Sequence, residues 1–249
     1  MKKILLLLLL ISNISFSQNE NYVEMSSKLV TAIKDNSKDV ETYVKKIAEV
    51  EEDVLLEQLN SDDAKKTFYI NLYNSLVIYS LRKNEKLYED RGTFFSAKQF
   101  TLAGNKVSLD NIEHDYLRHS SVKWGLGIFH KIFPSKQERN FRVNDVDWRI
   151  HFALNCGAKS CPPVRAYHLK TIEDEMDDSA RKYLKKNSKY DEKEDKLYVP
   201  ALMNWFRNDF GNKRGVKRIC REFGIIDKEV NPCIEYNDYD WTLDINNFI

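Results

Sequence analysis

The chain has 249 residues, 12% of them aromatic and 31% charged, with a formal net charge of +1. It is long enough to bury a substantial core, yet its lysines are interleaved with acids, as in KDNSKDVETYVKK and YDEKEDK, so it lacks the concentrated basic face of a nucleic-acid binder. No low-complexity linker divides it, and its alternation of long helical patterns with a few short extended runs predicts a helix-dominated α+β single domain with a small sheet of short strands.

The chain opens MKKILLLLLLISNISFSQ: two lysines, an apolar run too short to span a bilayer, then small polar residues, the layout of a secretory signal peptide over residues 1–17. Ser12, Asn13 and Ser15 interrupt the run, and no cysteine follows to carry a lipid. The expected location is therefore periplasmic or secreted, with residues 18–249 as the folded domain. Removing Lys2 and Lys3 from the 39 basic residues leaves 37 against 38 acidic ones, a net charge of −1, and no later stretch is apolar enough for a transmembrane segment.

Residues 22–57 carry Val23, Leu29, Val30 and Ile33 at helical spacing, which predicts two surface helices. Ser61, Asp62 and Asp63 supply N-cap chemistry for DAKKTFYINLYNSLVIYSLRKN, a helix apolar nearly all round. Asn71, Ser75 and Arg82 form one stripe on it, with Asn74 beside them; buried amides need partners, so the stripe faces either a polar brace or a wet cavity. A loop or short hairpin containing Gly104 and Asn105 precedes SLDNIEHDYLR, where Ser108 can cap a helix whose apolar arc includes Glu113. A carboxylate placed there must be paired or protonated. His114 sits to the side, one turn after Asp110 and one before Arg118.

KWGLGIFHKIFP and SKQERNF read as a loop. In DWRIHFALNC, Trp148, Ile150, Phe152 and Leu154 alternate with Arg149, His151, Ala153 and Asn155, which predicts a strand near residues 147–156 ended by Gly157 and Pro162-Pro163. Further helices are expected at TIEDEMDDSARKYLKK, at ALMNWFRNDFG closed by Gly211, and at KRGVKRICREF, with a short extended KLYVP and a partly extended tail.

No nucleotide loop, dinucleotide fingerprint, HExxH, GxSxG or CxxC is present. No cofactor is expected, and a zinc site through Cys156, Cys161 and His168 matches no closed spacing. Chemistry then rests on Asn71, Asn74, Glu113, His114, His151, Cys156, Ser160 and Cys161. Cys156 is the candidate nucleophile and Cys161 its substitute. In an extended strand His151 would lie about 16 Å from Cys156 and on the opposite face, so His114 is the preferred base, with Glu113 or Asn71 to orient it. Asn71, Asn74, Ser75 and Ser160 are the candidate binding residues. The competing readings are a structural Cys156–Cys161 disulfide in a non-catalytic domain, and a redox-active pair. Pairing of Cys156 with Cys161 and of Cys220 with Cys233 is the most local of three connectivities, among which spacing cannot choose.

The blocks FYINLYNSLVI, SLDNIEHDYLR, IHFALNCGAKSCPPVRAY and YDWTL, in that order, resemble the bacterial and plant family called domain of unknown function 547, over roughly residues 60–245. The resemblance implies no activity. Residue by residue it picks out Asn71, Asn74, Glu113, His114, His151, Cys156, Gly157, Ser160 and Cys161. The leading expectation is a cysteine-dependent hydrolase or transferase of the cell envelope, with a small-molecule, peptide or envelope substrate and no nucleic acid. A likeness to the papain and transglutaminase group would require a permuted order, since those enzymes place Cys before His. The alternatives are an envelope binding or structural domain braced by the 156–161 disulfide, and a thiol redox protein.

Overall fold

The computed structural model describes residues 20–123 and 125–249; the predicted signal peptide lies outside them. Three helices, α1 (Tyr22–Lys34), α2 (Val40–Glu49) and α3 (Glu52–Gln58), lead into the long α4 (Asp62–Lys83). Ser61 caps α4 as its chemistry requires, its hydroxyl accepting the Ala64 N–H at 3.2 Å. From Phe68 to Ile78 every residue of α4 is buried, so its apolar circumference reflects enclosure on all sides. One expectation fails here: α1 is not a surface helix. Val23, Leu29, Val30 and Ile33 pack with α4 in one cluster and are each at most 4% exposed.

After a 3-10 turn at Glu85–Asp90 and α5 (Arg91–Ser96), strands β1 (Phe100–Leu102) and β2 (Asn105–Val107) form an antiparallel hairpin, the second of the two forms expected there. Ala103 and Gly104 both take positive φ in its turn, the geometry that two-residue hairpins favour. A π-helix (Asn111–Leu117) follows, its entry capped by Ser108, which accepts the Asn111 N–H at 3.0 Å. Its exit is strained, with His119 and Ser120 both left-handed at φ 49° and 63°. A long loop leads to α6 (Lys136–Phe141).

The strand expected near 147–156 is not formed. Trp148–Phe152 is a 3-10 helix, started by Asp147, whose carboxylate accepts the Arg149 N–H. The alternation misleads because the polar positions are held by partners on more than one side: His151 is buried against Asp209, and the half-buried Arg149 pairs with Asp147, Glu173 and Asp177. A period of two in hydropathy marks a strand only when the polar positions share one wet face, and here His151, Ala153 and Asn155 are all buried.

The last third holds α7 (Ile172–Asn187), β3 (Lys189–Asp191), β4 (Lys196–Val199), α8 (Leu202–Trp205), α9 (Asn212–Glu222) and β5 (Cys233–Tyr236). Strand β4 is central, antiparallel to β3 and parallel to β5. Gly211 stands at the start of α9 with φ 76° rather than closing α8. A second apolar cluster joins Phe152, Leu184, Leu197, Met203, Phe210 and Ile219 across these elements. The class is thus α+β and helix-dominated, with two small sheets. No described helix is long and apolar enough to cross a membrane.

Candidate functional site

Two polar centres are buried side by side, and α4 serves both. On one face Asn71 is closed into the backbone: its amide donates to Tyr167 O at 2.8 Å and its carbonyl accepts Tyr167 N–H at 2.9 Å, with Ser26 and Ser27 hydroxyls 3.2 Å away. Asn74 does the same one turn on, donating to Ala153 O at 2.9 Å and accepting Asn155 N–H at 2.8 Å. Each amide substitutes for a strand neighbour, satisfying backbone groups of loops that have none. Ser75 is buried beside them. Ser160 accepts the Asp240 N–H on its hydroxyl and the Tyr183 hydroxyl on its carbonyl. None of Asn71, Asn74, Ser75 and Ser160 lines the cleft described next; they hold its walls in place.

The cleft, of about 530 Å³, brings together Glu113, His114, His151, Cys156 and Cys161. The π-helix supplies Glu113 and His114 on consecutive residues, and the widened turn lets both reach the same floor. Tyr73 of α4 donates its hydroxyl to Glu113 at 3.2 Å. Burial opposes ionisation of Glu113, but His114, Arg118, His151 and Lys123 around it outweigh burial, and its pKa falls below the usual value. The floor therefore carries a carboxylate.

Arg118, fully buried, organises the rest. Its Nε and Nη2 donate to Asp209 at 2.7 and 3.2 Å, and its Nη1 donates to His114 Nδ1 at 2.9 Å. A guanidinium has no acceptor, so His114 Nδ1 must be the bare nitrogen and Nε2 carries the hydrogen. Burial lowers the pKa of His114, with Arg118 adding to the effect against Glu113 and Asp110. His151 Nε2 meets Asp209 at 2.8 Å, so that nitrogen donates and Nδ1 is left as the acceptor. Burial also keeps His151 below its ordinary value, although Asp209 opposes it. Burial would raise the Asp209 carboxyl, but His151 and Arg118 overcome it and hold it ionised. Phe206 backs the group, with His151 stacked at 3.9 Å and the Arg118 guanidinium 4.7 Å from its ring centre.

The wall opposite is aromatic. Trp205, Tyr239 and Trp241 pack on one another with centroids 4.7 to 5.5 Å apart, and Arg91 lies over Trp241 at 4.9 Å. Cys156 and Cys161 are bonded as a disulfide with Cα atoms 6.3 Å apart, and the Tyr239 hydroxyl lies 3.5 and 3.1 Å from their sulfurs. Gly157 between them is left-handed at φ 84°, and a Cβ there would come within 2.8 Å of Leu81. The second local pairing is not formed: Cys220 and Cys233 are free, the first facing the core from α9, where burial pushes its thiol up to about 12, and the second exposed on β5.

Because residues 148–152 coil instead of extending, His151 and Cys156 line the same cleft, which the strand expectation had excluded. The sequence reading missed Tyr73, Arg118, Asp209, Trp205, Tyr239 and Trp241 as site residues. The block YDWTL held a signal for Tyr239 and Trp241, and Arg118 stands one turn from His114; Asp209 had none, being 58 residues beyond His151. Among the described residues no cluster of metal-ligating side chains is present. The family model described as a protein of unknown function, DUF547, matches residues 56–184, slightly more than half of the chain. No curated protein and no solved structure matches it.

Proposed function

The chain belongs to the DUF547 family, whose description carries no activity, and from the cleft itself we propose a ligand-binding domain of the cell envelope. One observation carries this reading: the 156–161 disulfide is closed and forms part of the wall of an open, largely apolar cleft with a charged Glu113 at its floor. The ligand would lay an apolar or ring face against Trp205, Tyr239 and Trp241 and bring hydroxyl or ammonium donors to Glu113, as a saccharide or a peptide can. The leader-like residues 1–17 support an exported location, where such a disulfide persists.

Thiol hydrolysis or transfer is the second reading, favoured by the position of both sulfurs in the cleft. It needs an external dithiol to open the bridge. It also needs a base with a free acceptor; His151 Nδ1 meets that requirement and His114 Nδ1, occupied by Arg118, does not.

Alkylation of the native protein, mapped by peptide mass spectrometry with and without reductant, separates the two. The binding reading expects Cys233 to react freely and Cys156 and Cys161 only after reduction. Alkylation of Cys156 or Cys161 without reductant, at a pH well below about 8.5, would transfer the proposal to thiol chemistry. Screening saccharides and peptides by tryptophan fluorescence should then yield a ligand whose affinity falls about tenfold or more in Glu113→Gln.

A further inference from the structure

The loop between the π-helix and α6 turns its apolar side chains outward. Ile128 and Phe129 are 52% and 64% exposed, and at the tip Ile132 and Phe133 reach 83% and 92%. A soluble surface tolerates single exposed apolar residues, but four large ones within six positions mark a contact site. The loop is held in this form by its own ladder: Val122 N–H to Phe129 O at 2.8 Å, Lys131 N–H to Ser120 O at 2.8 Å, and a bridge between Ser121 and His130. Asn208 clamps its far side, donating to Leu126 O and Gly127 O at 3.1 and 2.9 Å. The apolar tip is therefore presented by a tied scaffold.

From these observations we infer that the 126–133 loop docks this protein on the surface of an anionic lipid bilayer. Two features select a bilayer over a protein partner. Ile132 and Phe133 are 83% and 92% exposed, a branched aliphatic and an aromatic side chain that can enter the headgroup boundary with no facing groove to receive them. Its surroundings are basic: residues 122–142 contain five lysines and arginines against one acid, Glu138. Asp110 and Asp115 neutralise Lys123 and Lys131, while Lys136 and the Arg139 guanidinium, which donates to the Pro134 carbonyl, keep their charge beside the tip. Each such charge favours an anionic leaflet. Leu126 and Lys123 also line the cleft, so docking sets the cleft opening against the membrane. The inference does not depend on what the cleft binds.

The test uses the full chain with vesicles of phosphatidylglycerol and phosphatidylcholine, read by flotation and by hydrogen exchange of the peptide spanning 126–136. Any pull from the leader is common to all variants, and hydrogen exchange reads the loop directly. Vesicles should slow exchange in that peptide. The double variant Ile132→Asp, Phe133→Asp should abolish this protection with its melting temperature unchanged, since both residues are exposed. Lys136→Glu should weaken partition to anionic vesicles by roughly tenfold and leave purely zwitterionic vesicles unaffected. Unchanged exchange in 126–136 on adding vesicles, or equal protection in the double variant, would overturn the inference. So would a concentration-dependent dimer that the double variant abolishes, which would assign the tip to a second copy of the chain.

Discussion

The two polar centres that flank α4 are built from similar residues and do opposite things. Around Asn71 and Asn74 every amide atom is matched to a backbone group, and the volume is closed. Around Glu113 and His151 the polar atoms are only partly matched, and the remainder faces a cleft. Burial of a polar side chain is thus no mark of a site. The mark is a polar group held in one orientation by neighbours that leave part of its capacity unspent, as Arg118 and Asp209 do for the two histidines.

That contrast can be broken at several points. The largest effect is expected from Asp209→Asn, which strands the buried Arg118 guanidinium; unfolding free energy should fall by about 3 to 5 kcal/mol. Chemical denaturation measures this, and a loss below about 1 kcal/mol would show that Arg118 finds another partner. Asn74→Ala comes next. It orphans Ala153 O and Asn155 N–H, for an expected loss of about 2 to 4 kcal/mol.

The pH dependence is smaller and has a definite sign. His114 and His151 have folded pKa values below 6.5, so the unfolded chain takes up protons that the fold excludes. Their contribution is complete above about pH 6.5 and is lost as pH falls toward the folded values, at most about 1.4 kcal/mol per pH unit for each histidine. Melting between pH 7.5 and 5.0 should show the decline, with a shallower slope in His114→Gln. Flat stability across that window would mean that the histidines protonate inside the fold. The smallest stability effect belongs to Glu113→Gln, expected within about 1 kcal/mol because Tyr73 can still donate to the amide oxygen; its consequence should appear in ligand binding instead. If it behaves like Asn74→Ala, the cleft floor is a second brace.

How much of this could be read from the chain differs by element. The α4 helix is legible with its Ser61 cap because local chemistry determines it, whereas Gly104 and Asn105 mark a turn without choosing between a loop and the hairpin that forms. Segment 148–152 does not show its form in the sequence because its polar residues are held by partners distant in sequence: the half-buried Arg149 by Asp177, the buried His151 by Asp209. The inward burial of α1 was obscured by its charged positions, which fall on its solvent side. Glu113 and His114 stood out because a carboxylate within an apolar arc is conspicuous. Their true setting depends on Arg118 reaching Asp209, a contact between residues 91 apart that no spacing rule contains. The choice between site and brace for Asn71 and Asn74 was equally out of reach, since the loop backbones at 153–155 and 167 that they hold are themselves irregular.

The extended tail completes the cleft. Residues 240–248 lie along the disulfide loop, with Lys159 N–H on Thr242 O, Asp244 N–H on Gly157 O, and bridges from Ala158 to Leu243 and from Val164 to Phe248. Two of the three aromatic side chains of the wall come late, Trp241 within this stretch and Tyr239 just before it, whereas Glu113 and His114 precede them by more than a hundred residues. The aromatic wall of the cleft is therefore complete only with this last strap laid across the disulfide loop.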